Sequence, residues 1–353
     1  MNRIGKNVLF RFEAGGSNGL GHAARCLTLS RAFGKIGAKC HAIIWERHDS
    51  AYPYLKSNGI DPLCSLGAMG TPEDAKFVEA AAVSTNSRIV VLDPKNPTTC
   101  LGQLYSSDKY ISVCIEDEAT DTGCDVILNN NSFVGVAAYE KSVAVKILAG
   151  RQFNLVAGDW FNLETERGPK ATERILVTMG GEDPKNHTLK LLSHLFQVSP
   201  LYHFDIVLGP SHPDPNAVER LVETWPHYQI HQSPAGLSSI AKFADMVFSA
   251  GGTTCLELIA AGKPIAAIAV EPHQQQFVNT LSQSGLVFDI AASDGSILPK
   301  KVLSFLVDKE LRQGLVAATK DFFPGPGADN VVREILQIEK TFLSRDENTD
   351  GLI

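Results

Sequence analysis

Short apolar runs alternate with helix-period patterns along almost the whole chain. "NVLFRF" (7–12) reads as a strand. The segment from about Gly21 to Gly37 then carries apolar or small residues at Ala24, Leu27, Ala32 and Phe33, a helical spacing. "KCHAIIWE" (39–46), "SRIVVLD" (87–93), "YISVCIED" (110–117) and "DVILNNN" (125–131) follow as strands. Their nearly continuous apolar character predicts a parallel sheet covered on both faces. A charged stretch with a Gly-Pro in its middle, "NLETERGPKATER" (162–174), interrupts the series. A second series begins with "RILVTMGG" (174–181) and continues through "FDIVLGP" (204–210), "YQIHQ" (228–232), "ADMVFSAGG" (244–252) and "KPIAAIAVE" (263–271). The closing "PGPGADNVVREILQIEKTFL" supplies chain breakers and then an amphipathic helix.

The pattern predicts an α/β protein with two Rossmann-like domains. The first spans 1–165, a linker covers 166–173, the second spans 174–327, and a terminal helix occupies 328–345. A length of 353 residues agrees, since single cores stop growing at roughly 250–300. Ligands of open α/β sheets sit beyond the carboxyl ends of the strands, so a cleft between two such halves is the expected site.

Two strand-to-helix junctions carry the candidate chemistry. In "EAGGSNGLGHAARCLTLS" (13–30), glycines at 15, 16, 19 and 21 permit close backbone approach to a ligand, Gly19 and Gly21 lying nearest the helix. The helix start offers unpaired N–H groups and partial positive charge to an anion. His22 falls in its first turn, where a neutral imidazole can act as a base near pH 7. Glu13 can hydrogen-bond the imidazole or a sugar hydroxyl. Arg25, one turn on, can stabilise phosphate charge or pair with an acid. The spacing is not G-x-G-x-x-G, and "IIWERHD" offers no clear ribose-binding acid, which disfavours a dinucleotide enzyme.

The second junction is "FSAGGTTCLELIAAGKP" (248–264). Gly251, Gly252, Thr253 and Thr254 present backbone N–H groups and two hydroxyls at a helix start, suited to a diphosphate. Glu257, one turn inside, can accept both hydroxyls of a ribose. "GGEDPKN" (180–186), with Gly181, is another Gly turn feeding a helix. "EPHQQQF" (271–277), with Gln275 and Gln276, offers groups typical of sugar-hydroxyl recognition.

Composition narrows the partners. A net charge of −7 without a long basic run argues against nucleic acid, while leaving room for a local basic site for a small anion. Seven scattered cysteines form no CxxC or Cys/His cluster, so neither a disulfide framework nor a metal site is predicted. No run approaches the ~20 apolar residues of a spanning helix, and no signal-like segment opens the chain, so a cytoplasmic protein with no transmembrane segment is expected.

Together these motifs resemble a known family. "RFEAGGSNGLGHAARCLTLSRAFGKIGA" is similar to the R-x-D-x-x-x-x-x-G-x-G-H-x-x-R-C-L-x-L-A start of the UDP-2,4-diacetamido-2,4,6-trideoxy-β-L-altropyranose hydrolases of pseudaminic acid synthesis. These are grouped with spore-coat polysaccharide biosynthesis proteins. The likeness continues through "CIEDEATDTGCDVILNNN", "ILVTMGGEDPKN", "VLGPSHP" and "AGGTTCLELIAAGKP" and so spans most of the chain. The second half also resembles the N-acetylglucosaminyltransferase that completes lipid II, through Gly251–Glu257 and Gln275-Gln276 with Asn279.

The resemblance implies a GT-B architecture whose last helix, here about 328–343, crosses back to the first domain. It implies a UDP-sugar substrate, with His22 as the base that activates water against the anomeric carbon. The Gly-Gly-Thr-Thr loop then takes the diphosphate and Glu257 the uridine ribose, and no cofactor or metal is required. An inverting glycosyltransferase with an alcohol acceptor would use the same base and loop. Where the hydrolases carry Asp-His-Tyr, this chain has "LDPKN": Asp93 is kept on the substrate side, but Lys95 replaces the aromatic. Glu13 stands where they have Asp. Both departures fall on the sugar side, leaving the sugar and the acceptor open.

Overall fold

The computed structural model describes residues 7–14, 20–45, 51–163, 172–181, 183–234, 236–272 and 274–349. The chain forms two compact units, one of residues 1–157 with 324–353 and one of residues 158–323. The second unit is thus an insertion within the first. The chain leaves the first unit ahead of the 166–173 stretch, because Trp160 is buried and Phe161 packs edge-on against Phe323 in the second unit. Most of 166–173 lies outside the described residues.

The first unit runs β1 (Asn7–Phe12), α1 (Gly21–Lys35), β2 (Lys39–Ile44), α2 (Ala51–Ser57), β3 (Leu63–Cys64), α3 (Pro72–Ser84), β4 (Ser87–Asp93), α4 (Leu101–Leu104), β5 (Ile111–Glu116), β6 (Val126–Asn129) and β7 (Lys146–Leu148). Its seven strands pair in parallel in the order β3-β2-β1-β4-β5-β6-β7. Alternate residues divide between two cores. Val8, Phe10 and Phe12 join Ile89 and Val91 beneath α1, while Leu9 joins Val90 and Leu92 against α3 and α4. That double burial is why these strands read as unbroken apolar runs. Helix α1 stops two residues short of the expected Gly37, which adopts φ +83° just beyond it, a left-handed stop suited to glycine.

The second unit contains β8 (Arg174–Thr178), α5 (His187–Leu195), β9 (His203–Leu208), α6 (Pro215–Val222), β10 (Tyr228–Gln232), α7 (Ser238–Ala241), β11 (Met246–Ala250), α8 (Thr253–Ala260), β12 (Ile265–Ile268), α9 (Gln274–Gln283), β13 (Phe288–Asp289), α10 (Pro299–Val307) and α11 (Lys309–Thr319). Its six strands are also parallel, in the order β10-β9-β8-β11-β12-β13. The final helix, α12 (Ala328–Thr349), belongs to the first unit. Ala328, Val331, Val332 and Ile335 enter the core that α1 covers, and Lys35 Nζ meets Asp329 at 2.9 Å.

A charged pair is built into the first core. Arg11 on β1 and Asp74 in the first turn of α3 are both fully buried, with Arg11 Nε donating to both Asp74 oxygens at 3.0 and 3.1 Å. Ser65 and Tyr105 hydroxyls donate to the same carboxylate. Removing one member of such a pair strands the other, at a cost of ~3–5 kcal/mol. Arg11→Leu is therefore expected to lower the urea midpoint of the first unit sharply, and adding Asp74→Leu should recover much of the loss; circular dichroism checks both.

Candidate active site

In each sheet the strand order reverses once, between β1 and β4 in the first unit and between β8 and β11 in the second. Crossovers leave in opposite directions there, opening a crevice at the carboxyl ends of the strands where ligands of such sheets bind. The first reversal point collects Glu13 after β1, His22 in the first turn of α1 and Asp93 at the end of β4. Arg25, one turn along α1, and Asp117, just after β5, join them.

Asp93 organises this group. It is fully buried, and its Oδ1 lies 2.8 Å from His22 Nδ1. Arg25 Nε donates to Oδ2 at 2.7 Å and Arg25 Nη2 to Oδ1, while the Cys26 thiol approaches Oδ2 at 3.5 Å. Burial alone would push the carboxyl up, but the Arg25 guanidinium and the His22 imidazole outweigh it and hold Asp93 at about 2. A carboxylate can only accept, so the proton of this contact sits on His22 Nδ1, and Nε2 is the ring nitrogen on the other side. His22 remains 19% exposed, so its ring is within reach of solvent.

The same contacts show where three residues named from the sequence stand. The oxygens of buried Asp93 lie on His22, Arg25 and Cys26, which places it behind the imidazole. Arg25, almost buried, also gives Nη1 to Asp117 at 2.7 and 3.0 Å, so of its two expected roles the acid pairing is the one present. Burial opposes its charge, but the two carboxylates raise its pKa well above the ordinary arginine value. Glu13 does not hold the imidazole either; its Oε2 accepts from the Lys95 backbone N–H at 2.9 Å, tying the ends of β1 and β4 together. Gly21 opens α1, with no atom within 4 Å of where a Cβ would stand, whereas Gly19 lies outside the described residues.

At the second reversal point, Gly251 and Gly252 follow β11 and Thr253 opens α8. Gly251 is required sterically, since a Cβ there would lie 2.1 Å from Val278 Cγ2. Gly252 occupies the N-cap of α8 and brings no capping side chain, so the start of α8 is not closed by its own cap residue. Gly180 and Gly181 follow β8, and Gly209 at the end of β9 packs so closely that a Cβ would lie 2.3 Å from the Gly181 carbonyl oxygen. Asp183 secures this loop by accepting from His187 N and Thr188 N, both at 2.7 Å. Gln275 Nε2 donates to Asn279 Oδ1 at 3.0 Å within α9, Gln276 is exposed, and Gln274 braces Val270 N instead.

Glu257 is mostly buried on α8, and burial together with the Asp159 charge raises its carboxyl to about 7. Asp159 lies on a short 3-10 turn, Gly158–Asn162, that packs on α8. Nothing along the chain pointed to this neighbour, while Asp117 and Gly209 fall within "CIEDEATDTGCDVILNNN" and "VLGPSHP" without being singled out there. Asp117 and Gly209 each stand just past a strand end, a position that could have nominated them. Among the described residues, no three His, Cys, Asp or Glu side chains form a metal-holding group, and no helix is long and apolar enough to cross a membrane.

The chain is similar to known proteins over most of its length. The spore coat polysaccharide biosynthesis protein SpsG of Bacillus subtilis is 24% identical over 75% of this chain and 71% of its own. The UDP-2,4-diacetamido-2,4,6-trideoxy-β-L-altropyranose hydrolase of Campylobacter jejuni is 22% identical over 79% of this chain and 97% of its own. Among solved structures, Acinetobacter baumannii MurG superposes with a TM-score of 0.65 at 16% identity, covering 94% of this chain and 99% of its own. Several other similar structures carry glycosyltransferase titles. No protein-family model matches the chain. The fold is the GT-B type, built from two parallel-sheet α/β domains.

The raised Glu257 carboxyl fixes a pH dependence. Its stabilising share is complete below the unfolded value of 4.5 and is lost as pH rises through about 7. Glu257→Gln should match the wild type near pH 4.5 and be more stable by ~1–3 kcal/mol at about pH 8. Urea unfolding at both values checks this; a difference independent of pH would contradict it.

Proposed function

We propose that the chain is a nucleotide-sugar enzyme that hydrolyses the bond between the anomeric carbon and the diphosphate of a UDP-sugar. The observation that carries the reading is the His22–Asp93 pair at the reversal point of the first sheet. There a buried carboxylate fixes one ring nitrogen and leaves the other able to take a proton. Water gives its proton to His22 Nε2 as its oxygen bonds to the anomeric carbon. The glycosyl C–O bond breaks, and its electron pair leaves with UDP. Arg25 and Asp117 hold Asp93 and α1 in register, so Asp93 is a positioning residue and His22 the base.

The reading assigns the nucleotide to the second unit. Gly251 and Gly252 bring backbone to the phosphates, the start of α8 with Thr253 and Thr254 favours their charge, and Glu257 takes the ribose hydroxyls. A divalent metal is not required by this assignment. In the same reading Gly21 and Glu13 serve the sugar from the first unit, and Gly181, Gln275 and Gln276 serve substrate hydroxyls from the second. Support comes from relatives whose names give a UDP-sugar hydrolase and a polysaccharide biosynthesis protein.

A second reading replaces water by an acceptor alcohol, and the glycosyltransferase titles among similar structures favour it. Both acceptors need the same deprotonation, so the base does not separate them. A cytoplasmic site of action fits either reaction, since UDP-sugars are charged.

Incubation with a panel of UDP-sugars and no acceptor separates the readings. UDP release from a deoxyamino sugar supports the hydrolase, whereas UDP binding without turnover supports the transferase. A positioned base contributes ~10²–10⁴-fold, so His22→Ala should lose that factor in kcat while UDP affinity stays within ~2-fold. Asp93→Asn should lower kcat by a similar ~10²–10⁴-fold with KM nearly unchanged, because an amide can hold Nδ1 as an acceptor and so put the proton on Nε2. Unchanged kcat in either variant sinks the assignment.

A further inference from the structure

Two carboxylates share one guanidinium at the first reversal point, and only one is needed to balance it. Asp93 does so from complete burial. Asp117 adds a second negative charge from a position where its side chain is 46% exposed, with both oxygens on Arg25 Nη1. Each carboxylate oxygen has further lone-pair capacity beyond that single N–H group.

The backbone holds Asp117 firmly for a residue at a strand end. Its carbonyl accepts from Asn131 Nδ2 at 3.3 Å. The turn that follows is pinned by buried Glu116, whose Oε2 accepts from Glu118 N at 2.8 Å and Thr120 N at 3.0 Å. Glu116 Oε1 in turn accepts from Asn129 Nδ2 at 2.6 Å and from the Tyr139 hydroxyl. Such a carboxylate is fixed from behind and open in front. Arg25 also ties it to the base, because Nη2 of the same guanidinium lies 3.1 Å from His22 Nδ1. Arg25 thus joins Asp117 and His22 through one side chain at the same reversal point.

We infer that Asp117 is a specificity-determining residue that accepts a hydrogen bond from the glycosyl group of the substrate, from an amide N–H or a hydroxyl, rather than from the nucleotide. This rests on the nucleotide-sugar reading above and deepens it. A fixed carboxylate discriminates against ligands that bring no donor, because its own desolvation is then left without return.

The test uses the full chain carrying His22→Ala, which suppresses turnover, and titrates UDP and UDP-N-acetylglucosamine by calorimetry with and without Asp117→Asn. The expected result is an at least ~10-fold weaker affinity for UDP-N-acetylglucosamine, with UDP affinity within ~2-fold and an unchanged thermal midpoint. If the two ligands weaken together, or neither weakens, the assignment of Asp117 falls while nucleotide binding stands. If the chain with Asp117 intact binds neither ligand, the nucleotide-sugar reading falls and takes this inference with it.

Discussion

A carboxylate at the centre of a protein stays ionised only if positive charge and donors surround it, and Asp93 meets that condition through two neighbours on one helix. His22 and Arg25 stand one turn apart on α1, so their side chains converge on the same atom pair at the end of β4. The helix is thereby locked to the strand by the groups that give the imidazole its orientation. Support for the fold and orientation of the imidazole are one interaction here, and the first reversal point has its charged character because of it.

The two units solve the same topological problem with different materials. The first fills its reversal point with ionisable side chains paired to one another. The second fills its own with glycines, where added carbon would collide with Val278 or with the Gly181 carbonyl, and with the start of α8. One surface is rich in ionisable side chains and the other in glycine backbone. A half-buried acid at Glu257 complicates that second surface, since near neutral pH it is only partly ionised.

The central strands were legible because burial on both faces leaves an unbroken apolar run: β1 and β4 begin and end where the pattern of residues put them. The edge strands β3, β7 and β13 are two or three residues long, too short for any period to register. His22 and the Gly-Gly-Thr-Thr turn announced themselves by local composition. The partners that matter to them did not, because Asp93 is 71 residues from His22 and Asp117 is 92 from Arg25, and spacing along the chain carries no trace of such meetings. Asp93 drew notice only through likeness to a family. The Arg11–Asp74 pair drew none, since a lone arginine in an apolar strand looks like a strand end.

The insertion of residues 158–323 within the first unit imposes an order on synthesis. Val331, Val332 and Ile335 of α12 complete the core beneath α1, yet they leave the ribosome after the whole second unit has emerged. During translation the amino-terminal half must wait with an uncovered apolar stripe while the later half can already close. A premature stop near the carboxyl terminus would therefore injure the part of the molecule made first, and chaperone demand should fall on that half.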